Sequence, residues 1–89
     1  MIKLTAMEQK GPTRLLLRFS DGAWGIYDFA SFIKAATPMT KPLADPAFFG
    51  RHFIEAGALA WPNGFDLSAA SLYLALDADG ALHHSAEAA

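Results

Sequence analysis

Cysteine is absent from all 89 residues. That single absence removes disulfides, thiolate nucleophiles and cysteine-based zinc sites together. No apolar run approaches the ~20 residues that a membrane-spanning helix needs. A secretory leader is missing as well, because Met1-Ile2-Lys3-Leu4 gives way at once to polar and turn residues. A reducing cytoplasm is therefore the expected compartment. There is no Gly-x-Ser-x-Gly elbow, no phosphate-cradling glycine loop, no internal repeat and no interdomain linker. Charged residues make up only 18% of the chain and the net charge is −2, which argues against a nucleic-acid binder.

What is present is apolar material, 53% of the residues, enough to fold as one globule rather than remain disordered. The expectation is a single domain over residues 1–80, with 81–89 a frayed tail. Charge is unevenly spread. Residues 1–44 carry six cations against three acids, +3, whereas residues 45–89 set Arg51 alone against six acids, −5.

Periodicity sets out the elements. Ile2, Leu4 and Ala6 alternate with polar neighbours, as in a strand with one buried face, until Gly11-Pro12 breaks it. Arg14 to Asp28 reads as a hairpin. Taking Asp21-Gly22 as a two-residue turn pairs Phe19 with Trp24, Leu17 with Ile26 and Leu15 with Asp28. Leu15, Leu17, Phe19, Trp24 and Ile26 then share the buried face, leaving Arg14, Leu16, Arg18, Gly25 and Tyr27 outside. A helix follows over 29–36, with Asp28 at its start and Thr37-Pro38 at its end. After a loop over 40–44, Asp45-Pro46 restarts a short helical turn bearing Phe48 and Phe49. His52 to Trp61 reads as a second hairpin about Ala56-Gly57, with Ile54 and Leu59 inward. A last helix carries Ala69, Leu72, Tyr73 and Leu76, capped by Ser68 or Asp66 and ended by Asp77-Ala78-Asp79-Gly80.

The densest local signal is Trp61-Pro62-Asn63-Gly64-Phe65-Asp66-Leu67. It reads as the corner where the last strand becomes the closing helix, with positive φ at Gly64 and Trp61 in the core. Asp21, Gly22, Trp61, Pro62, Asn63, Gly64 and Asp66 are accordingly read as structural. The fold class is α+β: a small antiparallel sheet of two hairpins plus an N-terminal strand, packed with two to three short helices.

No catalytic residue, cofactor or metal ligand is expected. Asp77-Ala78-Asp79-Gly80 has its glycine too early for a calcium loop, and position 12 of that loop would be Ala88. His83-His84 lacks the spacing of a built metal site. Asp28 and Asp66 suit helix caps better than a catalytic pair. The candidate contact residues for a partner are Lys3, Arg14, Arg18 and Tyr27 on the outer sheet face, with Phe65 at the corner.

Phe19-Ser20-Asp21-Gly22, then Pro42-Leu43-Ala44-Asp45, then the Trp61–Leu67 element recur in this order and spacing in one group. Over about residues 2–75 the chain resembles the family catalogued as domain of unknown function 2442, small bacterial proteins. The resemblance implies an α+β fold like the N-terminal domain of some helix-turn-helix regulators. No helix-turn-helix domain is expected within these 89 residues, so DNA binding is not expected to carry over. Family members also occur as half of a two-gene, toxin–antitoxin-like cassette with another small protein. No catalytic residues are established for the family, so none transfers. The resulting expectation is a non-enzymatic protein-interaction module whose partner is a second small protein encoded nearby, with a small-molecule sensor as the alternative. Unblocked strand edges add the expectation of a homo-oligomer, most simply a dimer.

Overall fold

A computed structural model describes residues 1–84, and over that span the chain is α+β. Strands β1 (Leu4–Gln9), β2 (Arg14–Phe19) and β3 (Ala23–Asp28) form an antiparallel meander. Helix α1 (Ala30–Ala35), a 3-10 turn (Lys41–Ala44) and helix α2 (Pro46–Phe49) follow. Strands β4 (Phe53–Glu55), β5 (Ala58–Ala60) and β6 (Asp66–Leu67) make a second sheet, then come helix α3 (Ala69–Ala78) and strand β7 (His83–His84). The sheet orders are β1-β2-β3-β7 and β4-β5-β6. Leu4 N–H donates to Gly57 C=O at 2.8 Å, joining the edge of the first sheet to the turn of the second.

Local chemistry explains the helix starts. Asp28 accepts from Ala30 N–H at 2.9 Å, and Asp45 from Ala47 N–H at 3.0 Å, each carboxylate taking an amide that the first turn leaves unpaired. Of the two candidate caps for α3, Ser68 does the capping, through Ser71 N–H, while Asp66 lies exposed in β6. The residues read as a loop over 40–44 instead form the 3-10 turn, with Pro42 in its first positions.

Trp61 sits at the centre of the core, 1% exposed. Its ring meets Phe29 edge-on at a centroid distance of 5.6 Å, Phe49 at 5.7 Å, and Phe65 in a stack at 5.8 Å. Its indole N–H donates to the Phe49 carbonyl at 3.0 Å, so the one polar atom of the buried ring is satisfied. Leu15, Leu17, Leu43, Leu59 and Leu72 complete the fully buried set.

Two turns share one design. In Phe19-Ser20-Asp21-Gly22 and in Trp61-Pro62-Asn63-Gly64 the glycine amide donates back to the aromatic residue's carbonyl, at 3.0 and 3.1 Å. Both glycines are left-handed, with φ +90° at Gly22 and +91° at Gly64. The side-chain oxygen before each glycine accepts from the amide after it: Asp21 from Ala23 at 2.9 Å, Asn63 from Phe65 at 3.1 Å. The remaining polar atom of each reaches a distant element. Tyr73 O–H on α3 donates to Asp21 at 2.7 Å, and Asn63 Nδ2 donates to the Met39 carbonyl at 3.0 Å.

This design corrects several expectations. The first hairpin closes with a three-residue loop, Ser20-Asp21-Gly22, and only Gly22 needs positive φ. The register is therefore Leu15↔Tyr27, Leu16↔Ile26, Leu17↔Gly25 and Arg18↔Trp24, one residue from the expected pairing. Every β3 side chain changes face. Ala23, Gly25 and Tyr27 point to the core side, and Ile26, expected inside, is 42% exposed. Gly25 suits its new place, because a Cβ there would lie 2.8 Å from the Ala81 carbonyl and 3.0 Å from Leu76. In β1 the register shifts between Leu4 and Ala6, so Leu4 and Met7 face the core, whereas Ala6, expected inside, is exposed. The 61–67 corner does not pass directly from strand to helix. It folds β6 back on β5, pairing Ala60 with Asp66 and Leu59 with Leu67, before Ser68 starts α3. Of the tail expected over 81–89, Ala81 N–H donates to Leu76 C=O at 2.8 Å and His83–His84 pair with Trp24 and Ala23; residues 85–89 lie outside the described residues.

Two outcomes follow for stability. Trp61→Ala should cost about 3–5 kcal/mol and Gly64→Ala about 1–2 kcal/mol, read from urea midpoints at constant slope. The Tyr73 hydroxyl, followed by the Ala23 amide, holds the Asp21 carboxyl below its ordinary value of 3.8. Its contribution is then full above that value and lost as the pH falls through the folded-state value. The wild-type should lose stability on acidification below about pH 4, and Tyr73→Phe should lose less over the same range. Parallel pH profiles of the two proteins would show this donor to be irrelevant.

Candidate protein-interaction face

The register that turns Ala23, Gly25 and Tyr27 inward sets a different group on the opposite face of the four-stranded sheet. One cross-strand row reads Ala6, Arg18, Trp24, His83, and the next reads Glu8, Leu16, Ile26. Arg14 and Asp28 form the third pair. Trp24 is half-buried and stacks on His83, with centroids 4.3 Å apart and planes 22° from parallel. Leu16 is only 8% exposed although it points away from the core, between Glu8 and Ile26 in its cross-strand row.

The charges on this face are mostly spoken for. Arg14 Nε lies 3.4 Å from Asp28, and Lys10 Nζ 3.2 Å from Glu8. Asp28 also accepts from Thr13 Oγ1 at 2.8 Å. The Ala30 amide, then the Thr13 hydroxyl, then Arg14 hold its carboxyl below the usual range. Arg18 has no ion pair among the described residues. The face thus offers an apolar floor of Leu16 and Ile26, a half-exposed indole and one uncommitted guanidinium.

The structure divides the residues expected to contact a partner. Arg14 and Arg18 lie on this face. Lys3 does not: it exchanges hydrogen bonds with Ser20 at 2.8 and 3.0 Å, and its side chain lies over Gly57. Tyr27 is on the core side, 4.7 Å from Phe29, where burial raises its phenol above the ordinary value. Phe65 is half-buried between Trp61 and Phe32. Asp21, Gly22, Trp61, Asn63 and Gly64 build the two turns and the core, and Pro62 is an exposed member of the second turn. The expected register puts Trp24 and Ile26 in the core, and His83 is weighed only as a metal ligand, so none of the three is among the expected contact residues. For Trp24 and Ile26 the signal is the loop length, since Ser-Asp-Gly also fits a three-residue hairpin loop with glycine in the left-handed position; nothing local marks His83.

Two other features bear on function. A half-open cleft of about 280 Å³ lies between Met1–Lys3, the Ala56-Gly57 turn and the start of α3. Its lining is almost wholly apolar. His83 and His84 project to opposite faces of β7, and no group of three acidic or histidine side chains converges on a metal position among the described residues. No described helix is long and apolar enough to cross a membrane.

No curated protein and no solved structure matches the chain. A family model described as a protein of unknown function, DUF2442, matches residues 7–77, a stretch that holds β2, β3, both glycine turns and the Trp61 cluster. The fold and the outer face just described are therefore laid out almost entirely within the matched stretch, and the chain belongs to the DUF2442 family.

Proposed function

We propose that this protein is a non-enzymatic interaction module that binds a second protein through the outer face of its four-stranded sheet. The observation that carries this reading is the composition of that face. Trp24, Leu16 and Ile26 surround the uncommitted Arg18, and tryptophan and arginine are the residue types that dominate binding energy at protein interfaces. The biological setting that best suits such a module is one half of a toxin–antitoxin-like or regulatory pair, in the cytoplasm. The partner would be a small protein encoded beside it.

A second reading, a small-molecule sensor, rests on the cleft beside Met1–Lys3. At about 280 Å³ it falls just below the range of about 300–1,000 Å³ typical of ligand sites, and convergent polar groups are few. A thermal-shift screen separates the two readings, because a ligand at a hundredfold its dissociation constant adds about 2.7 kcal/mol of stability.

The direct test is the double variant Trp24→Ala/Ile26→Asp, carried as full-length protein in its native cells. It should stay folded by circular dichroism, at a lowered melting temperature, and lose the wild-type partner, weakening capture by about thirtyfold or more. Undiminished capture of that partner would remove the outer face from the interface. Turnover on a metabolite panel would overturn the non-enzymatic reading.

A further inference from the structure

We infer that the partner segment covering this face is acidic and apolar: it sets a carboxylate against Arg18 and apolar side chains over Trp24, Leu16 and Ile26. This rests on the interaction reading above and adds the chemistry of the occupant.

Charge complementarity selects the occupant. Arg18 lies in the cross-strand row between Ala6 and Trp24, beside the nearly closed Leu16. A surface laid over that row takes the guanidinium out of water, and a desolvated guanidinium needs a partner of opposite charge. Its planar fork of donors matches a carboxylate in a two-point contact. The carboxylates already on the face do not supply it. Glu8 is held by Lys10, and Asp28 by Arg14, Thr13 and the Ala30 amide.

The same accounting decides against two other occupants. A second copy docking by the identical face would bring two Arg18 side chains and, among the described residues, only carboxylates that already have cation partners. A nucleic acid demands rows of unpaired cations along its phosphates, and this face offers one. Apolar cover is required as well, because Ile26 is 42% exposed and Trp24 is half-exposed beside it.

The experiment places benzoylphenylalanine at Ile26 in the full-length protein, in its native cells, with Leu74 on α3 as the control position. After photocrosslinking, the attached segment is sequenced by mass spectrometry. The expected segment holds Asp or Glu among apolar residues. Its yield should fall by about thirtyfold or more with Arg18→Glu, and recover in part with Arg18→Lys. Arg18 is exposed, so both variants should melt with the wild-type, which circular dichroism checks. A crosslink to a second copy, to nucleic acid, or to a segment without acids whose yield ignores Arg18→Glu would each overturn the acidic partner. All three would leave the outer face as an interface. Crosslinks from Leu74 with none from Ile26, or none from either position, would overturn the interface itself.

Discussion

The rest of the molecule depends on how Trp61 is buried. Its ring fills the space between α2, the second sheet and Phe29 at the end of β3, and its N–H ends on the Phe49 carbonyl. That carbonyl lies at the end of a four-residue helix, where the His52 backbone N–H at 3.4 Å and ring Nδ1 at 3.2 Å also approach it. The hydrogen bond satisfies an indole N–H that would be costly to bury alone. It also fixes the distance between two elements too short to be stable by themselves. The second sheet has strands of only two or three residues. Its persistence comes from packing on this ring rather than from its ladder.

The turn that carries Trp61 repeats the turn that carries Phe19. In both, an aromatic residue opens the turn, an Asx side chain takes the amide beyond the glycine, and the glycine adopts a conformation disfavoured for other residues. Each Asx then ties its turn to a remote element, Asp21 to α3 and Asn63 to the segment before the 3-10 turn. A turn made this way sets the register of a strand and at the same time docks it. Phe19 meets Tyr73 edge-on at 5.1 Å beside the Asp21 bond, so the apolar and polar parts of that contact act on the same pair of elements.

Much of this was legible in the residues. Helical spacing located α1 and α3, Asp45-Pro46 marked the start of α2, and Ala56-Gly57 gave the second hairpin with Leu59 fully buried. The first hairpin was located but slipped by one residue. Asp-Gly fits a two-residue loop as readily as the end of a three-residue one, and apolar residues on both faces of β3 could not arbitrate. Trp24 and Ile26 looked like core under one register, while Tyr27 and Gly25 belong there under the other. Gly25 is the residue that decides, since α3 and Ala81 come too close for any side chain. That approach is tertiary and leaves no periodic trace. The same slip hid part of the candidate interface, because the slipped register puts Trp24 and Ile26 in the interior while leaving Arg14, Leu16 and Arg18 outside.

The outer face combines two demands that normally compete. An apolar surface promotes indiscriminate association, and a charged one resists burial. Here the rim cations and acids are paired with each other, which leaves the surface nearly neutral around an apolar centre. Arg18, without an ion pair among the described residues, gives that centre a polarity test, since a partner without a carboxylate would bury it at a loss. His83 shapes the test from the side. It reaches Trp24 from β7, beyond the stretch matched by the family model, and stacks on one flank of the indole. The platform of β1 to β3 and the wall provided by β7 are thus set by different parts of the chain. Altering the short strand would change how Trp24 is presented without touching the Trp61 cluster that holds the fold together.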